Sequence, residues 1–186
     1  LRVGERGCVL ELAAQLDEVQ RGGLAGSDGH HLLDFYRDSL TQAYSRLYLE
    51  KFLPNLEHAD GVAIADVDHF KHINDTCGHL VGDEALRAIS GVILERTRET
   101  DTLIRYGGDE LLLIFPQIGE DAFRQRLTQL REAVQQIVLA DAPELRLDIS
   151  IGGAYRVSPL AEAIRQADQK MYEQKAAHAA ERGQEL

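Results

Sequence analysis

Four acidic side chains stand where they can act together. Asp66 ends the short apolar run Gly61-Val-Ala-Ile-Ala-Asp66, and Asp68 follows two residues later. Asp109 and Glu110 follow the double glycine Gly107-Gly108. Each pair sits at a chain reversal. If the two strands are neighbours, Asp66 and Asp109 face each other at one edge of a sheet. Carboxylates converging there make a hard oxygen site suited to Mg2+, which takes one or two carboxylates plus substrate phosphates. Such ions activate an attacking oxygen and stabilise a leaving one in phosphoryl chemistry. The glycines permit a sharp turn and close approach of a ligand. The same residues also suit a structural role, with Asp66 and Asp68 capping a following helix and Gly-Gly-Asp serving as a turn. A calcium loop is excluded, because Phe70 and Lys71 stand where a third ligand and a glycine are needed. The sequence has neither a P-loop nor a dinucleotide fingerprint.

Elements that can hold these carboxylates are legible around them. Residues 61–66 read as a buried strand, and 102–106 with 110–115 as a hairpin about Gly107-Gly108. Helical periodicity covers 80–98 and 122–140, and 145–152 alternates like a half-buried strand. Pro159 opens a last helix from Leu160 to about Ala180, in the first turn where its missing N–H costs little. Helices interleaved with a few strands imply an α/β sandwich around a mixed sheet. Upstream, Val9, Leu12, Leu16 and Val19 predict a short amphipathic helix, and the glycine-rich stretch Arg21–Gly29 a break. The expected division is therefore a helical extension and linker over 1–27 and a main domain over 28–186.

Composition narrows the function. The 186 residues carry 20 Lys+Arg against 31 Asp+Glu, a formal charge of −11, with 44% hydrophobic and 27% charged residues. That is an ordinary globular composition with enough chain for a real core. The acidic balance disfavours nucleic acid and polybasic membrane binding, which need positive patches. A small phosphorylated substrate stays open if a metal supplies the positive charge. No apolar run approaches the roughly 18 residues of a membrane helix, and no basic start leads into an apolar stretch. The chain starts at Leu1 and its only methionine is Met171. It is therefore expected to be a fragment, with any sensor, receiver or anchoring region upstream of it. Cys8 and Cys77 have neither disulfide-framework nor metal-ligand spacing, so they are expected to be buried or idle thiols in a reducing cytoplasm.

Taken together the motifs resemble one family. Arg105-Tyr-Gly-Gly-Asp-Glu-Leu111 resembles the signature of the GGDEF family, the diguanylate cyclases. Asp38-Ser-Leu-Thr41, with Arg46 following, is similar to the family's opening D-x-L-T segment. Residues 65–83 resemble its long D-x-D-x-F-K-x-I-N-D-x-x-G-H-x-x-G-D stretch. Ile149-Ser-Ile-Gly152 and Ala167–Lys175 resemble its later strand and final helix. The likeness covers residues 38–175, in family order.

The resemblance implies a palm-like α/β fold, similar to nucleotidyl cyclase catalytic domains, and the joining of two GTP molecules into cyclic di-GMP. Each subunit would hold one GTP, so a homodimer is implied. Asp66 and Asp109 would bind Mg2+, or Mn2+ in its place, with the Val67 carbonyl assisting. Asp109 and Glu110 are the implied catalytic acids, with Glu110 either binding metal or taking the hydroxyl proton. Asn74 and Asp83 would read guanine, whose N1–H and N2–H2 are donors suited to an amide and a carboxylate. Asp83 could also cap a helix running from Glu84. Lys71 and Lys175 would contact the triphosphate, helped by helix-start N–H groups near Phe70. Arg98-Glu-Thr-Asp101 matches the family's R-x-x-D motif five residues before the double glycine, which implies product inhibition by cyclic di-GMP at Arg98 and Asp101.

Some positions depart from the family pattern. Leu111 replaces the signature Phe, an apolar exchange at a core-facing strand position. Gln42 replaces the usual Gly, Ser45 the usual Asn, and His69 a common aromatic or hydrophobic residue. In the last helix the usual Lys-x-x-Gly-Arg becomes Lys175-Ala-Ala-His178-Ala179, so Ala179 stands where a phosphate-binding Arg is expected. His178 and Arg182 are the candidates to replace it. The alternative reading is a weak or inactive module that binds GTP or cyclic di-GMP as a receptor.

Overall fold

The structure, a computed structural model, describes residues 36–52 and 59–183. The expected extension over 1–27, the Arg21–Gly29 break and Cys8 lie outside the described residues. Five strands form one mixed sheet: β1 (Tyr44–Ser45), β2 (Gly61–Val67), β3 (Thr102–Arg105), β4 (Glu110–Phe115) and β5 (Ile149–Tyr155). Their order across the sheet is β1-β3-β4-β2-β5. β1 runs parallel to β3, and the other pairs are antiparallel. Five helices complete the described fold: α1 (Arg46–Phe52), α2 (Phe70–Cys77), α3 (His79–Arg96), α4 (Glu120–Gln135) and α5 (Leu160–Gly183).

Helices cover both faces of the sheet, which is why β2 and β4 read as unbroken apolar runs rather than alternating ones. Side chains alternate across a strand. Ala63, Ala65, Val67, Leu111, Leu113 and Ile149 join one core with Ile73 of α2, Leu86, Ile89 and Ile93 of α3, and Phe123 and Leu130 of α4. Val62, Ile64, Leu112, Ile114 and Ala154 join the other with Tyr48 of α1 and Ala163, Ala167 and Met171 of α5. The expected sandwich around a mixed sheet is thus present, and Leu111 is buried within it as an apolar replacement should be.

This alternation decides where the polar residues go. Asp66 and Asp68 continue the series of Val62 and Ile64, Glu110 that of Leu112, and Ser150 that of Ala154, all toward the α5 face. Gly152 brings α5 close. A Cβ there would lie 2.1 Å from the Ala167 carbonyl oxygen and 2.2 Å from the Met171 nitrogen, so only glycine admits the helix backbone.

Several boundaries differ from those read in the sequence. The last strand is 149–155 instead of 145–152, because Leu147 is buried without a ladder partner and Asp148 turns its carboxylate onto Arg131. α4 stops at Gln135, not near 140, since Gln136 and Ile137 form shorter-range bonds to Ala133 and Val134. The helix expected from 80 begins at His79, directly after Gly78, whose φ of 86° breaks α2 from α3. Asp83 is consequently inside a helix and is not its cap. Cys77 is exposed and unpaired at the end of α2, not buried.

Candidate active site

The ends of β2 and β4 form the site. Asp66 pairs directly with Glu110 in the antiparallel register, so both side chains leave the same face. The Val67 N–H donates to the Asp109 carbonyl at 3.2 Å, which holds Asp109 against the end of β2. From α5, Lys175 Nζ donates to Asp66 Oδ1 at 2.5 Å. Asp66, Asp109, Glu110, Val67 and Lys175 are thereby brought together.

The electrostatics are unbalanced. Burial pushes the Asp66 carboxyl above its ordinary value, and the carboxylates of Asp109 and Asp68 add to this against Lys175. Glu110 is pushed up by burial, then by Asp66, Asp109 and Asp168. Burial pulls Lys175 down, but its bond to Asp66 and the nearby acids outweigh this and raise it. One lysine does not neutralise the group, so the oxygens form the hard, surplus-negative donor set that Mg2+ favours.

Phe70 and Lys71 open α2 beside this cluster, Phe70 half-buried against the core and Lys71 exposed. The first turn of α2 has no side-chain cap and no acidic residue, which leaves its N–H dipoles available to an anion. His69, just before it, takes a left-handed φ of 58°. Asn74 and Asp83 are brought near each other: the Asn74 Oδ1 lies 2.0 Å from where a Cβ on Gly82 would be, and Asp83 is the next residue.

Arg105 is the residue whose role the sequence left undefined. Its Nη1 reaches both Asp38 oxygens at 3.1 and 3.2 Å, and its Nε and Nη2 donate to the Gly108 carbonyl at 3.2 and 2.7 Å. Thr41 donates to Asp38 through its N–H and hydroxyl. Burial raises Asp38, but the bonds from Thr41 and Arg105 outweigh it and leave its pKa low. The D-x-L-T turn thus clamps the glycine hairpin that carries Asp109. Gln42 adopts φ 60°, the left-handed conformation that suits the glycine usual in the family pattern. Arg46 lies over the Tyr106 ring, 5.2 Å from its centroid.

Arg98 and Asp101 are not brought to this site. They lie before β3, at its end opposite the hairpin. The Asp101 carboxylate accepts the Arg98 backbone N–H at 2.8 Å, while the Arg98 side chain is exposed.

No local sequence signal marks the second polar cluster beside the site. Asp68 and His178 are buried together with Ser150, and Asp148 lies close by. His178 therefore points inward and does not stand in for an arginine at the surface. Asp148 accepts from Arg131 at both oxygens, 2.9 Å each, and its pKa is low despite burial. Its charge is already met by protein. The missed signals were strand parity, which gives Ser150 the face of Asp66 and Asp68, and helical spacing, which sets His178 three residues after Lys175.

The fold and the carboxylates at its strand ends define a nucleotidyl-cyclase type of palm. Residues 35–181 match the family model described as Diguanylate cyclase, GGDEF domain. Among curated relatives, Diguanylate cyclase DgcP of Pseudomonas aeruginosa is 38% identical over 127 residues, 64% of this chain and 19% of that protein. Diguanylate cyclase DosC of Escherichia coli is 35% identical over 146 residues, 73% of this chain and 32% of that protein. The chain thus spans less than a third of either relative. The GGDEF domain of DgcB from Caulobacter crescentus, solved in complex with c-di-GMP, superposes with a TM-score of 0.71 at 27% identity, covering 78% of this chain and 90% of that one. The chain belongs to the GGDEF diguanylate cyclase family. No described helix is long and apolar enough to cross a membrane.

Proposed function

We propose that this chain is the catalytic unit of a diguanylate cyclase. The 3′-hydroxyl of each of two GTP molecules attacks the α-phosphorus of the other. Two phosphodiester bonds form, two pyrophosphates leave, and the two hydroxyl protons pass to carboxylate or water. The observation that carries this reading is the convergence of Asp66, Asp109 and Glu110 with Lys175 as the one cation on them among the described residues. This donor set fits Mg2+ or Mn2+, held by Asp66, Asp109 and the Val67 carbonyl. When bound, the ion offsets phosphate charge and activates the attacking oxygen. Lys175, Lys71 and the Phe70 end of α2 bind the triphosphate. Asn74 and Asp83 accept guanine and orient it. Glu110, whose proton affinity is raised by burial and its neighbours, takes the hydroxyl proton.

The reaction needs two subunits face to face, so the working form is a homodimer. Residues 28–186 form the catalytic domain and 1–27 the link to an upstream sensor or receiver. The work is done in the cytoplasm, with cyclic di-GMP inhibiting at Arg98 and Asp101. Purified chain incubated with GTP and Mg2+ is expected to release cyclic di-GMP and pyrophosphate. Chelation should abolish this, and Arg98→Ala should relieve product inhibition. No product, even from an enforced dimer, overturns the reading. GTP binding without turnover would instead mark a receptor, the reading that Ala179 at the end of α5 favours.

A further inference from the structure

Asp68, Ser150 and His178 form a buried polar knot just beyond Lys175. All three are more than nine-tenths buried, at 6%, 0% and 8% exposure. The Ser150 hydroxyl lies 2.6 Å from Asp68 Oδ1. His178 Nδ1 lies 3.0 Å from Asp68 Oδ2 and 3.2 Å from Ser150 Oγ. A serine hydroxyl has one proton to give, and an ionised carboxylate only accepts. The short contact to Asp68 claims that proton, which leaves Ser150 Oγ an acceptor toward His178. Both neighbours of Nδ1 are then acceptors, so Nδ1 carries a proton and donates it to Asp68.

We infer that His178 is a positioning residue, which ties α5 through Nδ1–H to the Asp66–Asp68 segment and so sets Lys175 on Asp66. Three elements meet in the knot. Asp68 continues β2 past Asp66 and Val67, Ser150 belongs to β5, and His178 to α5. Lys175 and His178 are three residues apart and share a helix face. Fixing His178 therefore fixes the direction in which Lys175 leaves the helix. Asp68 also leads through His69 into Phe70 and Lys71, so the same tie steadies both lysines assigned to the triphosphate. The backbone supports the geometry: the Asp68 N–H donates to the Asp148 carbonyl at 3.0 Å, and Gly152 lets α5 approach β5.

The inference rests on the proposed function, because the positioned lysines are its phosphate contacts. Its test compares wild type with His178→Ala, His178→Asn and His178→Gln in the full chain. An Asn amide nitrogen reaches the place of Nδ1, whereas Gln overshoots it. Ala and Gln are expected to raise KM for GTP about tenfold with kcat within about threefold, and Asn to restore KM, because a charge-assisted bond that acts through ground-state phosphate binding is lost. A role confined to stability would lower the folded fraction, and so apparent kcat, at constant KM; that result overturns the inference. Imidazole 15N shifts give a second readout, with Nδ1–H expected and an Nε2–H tautomer overturning it. Unchanged KM in His178→Ala with an active wild type removes the positioning role alone. A wild type that neither binds nor turns over GTP removes the proposed function with it.

Discussion

Asp38 and Asp148 are each gripped by an arginine, whereas Asp66, Asp109 and Glu110 share one lysine among the described residues. Both groups lie at or beside the ends of strands of one sheet, and all are at least half-buried. Their pKa values move oppositely: Asp38 and Asp148 fall below the ordinary carboxylate value, while Asp66 and Glu110 rise above it. Burial opposes ionisation in both groups, and the outcome turns on whether donors compensate it. The arginine pairs are complete as protein. The strand-end acids are incomplete, with a charge surplus left for something outside the chain. A stable fold is thus used to hold an arrangement that lowers its stability.

The largest effect should come from Glu110→Gln. This isostere removes a charge that burial and its neighbours oppose. Cyclic di-GMP synthesis is expected to fall by about a thousandfold, while the melting temperature of the chelator-treated protein rises. A product assay beside thermal unfolding checks both. A fall in melting temperature would show that Glu110 belongs with the satisfied acids.

Arg105→Ala should weaken both activity and fold. Its guanidinium holds Asp38 and the Gly108 carbonyl together, so its loss frees the hairpin carrying Asp109. Activity is expected to drop roughly thirtyfold through misplacement, with about 2 kcal/mol of stability lost in denaturant unfolding. Unaltered activity would break the claim that the opening turn braces the site.

Arg131→Ala tests the other arginine pair, whose Asp148 lies beside Asp68 and His178. It should cost about 2 kcal/mol at neutral pH. The sign of its pH dependence follows from the low Asp148 pKa. A depressed carboxylate contributes stability that is present above its unfolded value of 3.8 and lost as pH falls through the folded value. The cost of Arg131→Ala should therefore shrink as pH drops below about 4. A cost independent of pH, measured by melting wild type and variant from pH 7 to 2, would show that the pair stabilises by packing alone.

The same contrast explains what was legible in the sequence. Local signals worked where the determinant was local: the apolar run of β2, the double-glycine hairpin, and the carboxylates at each strand end. Asp66 and Asp109 could be paired because hairpin and strand boundaries were both visible. The arginine clamp spans 67 positions and the Asp68–His178 contact 110, and no periodicity encodes such partners. The β5 boundary was misread for a related reason. Alternation begins at Leu145, yet Asp148 is drawn out of the ladder by Arg131, a residue of α4. The cap role offered for Asp83 fails because the helix starts at His79, where the periodicity from 80 places it, and so encloses Asp83.

The smallest effect sharpens the contrast from inside a satisfied clamp. Gln42 follows Thr41 in the turn that feeds Asp38, and its N–H donates to the Asp38 carbonyl at 2.9 Å. Its φ of 60° is unfavourable for any residue with a Cβ. Its side chain is exposed and bonds only locally, to the Ser39 carbonyl at 3.2 Å. Gln42→Gly should therefore relieve strain and stabilise the chain by about 0.5–1 kcal/mol, after the entropy that glycine gains on unfolding is subtracted. KM and kcat should not move, because the Asp38–Arg105 pair is already formed with glutamine present. If Gln42→Gly instead raised activity, the clamp would be only partly closed in the native chain, and Asp38 would belong with the incomplete acids after all. Denaturant midpoints and initial rates on the two proteins decide between these outcomes.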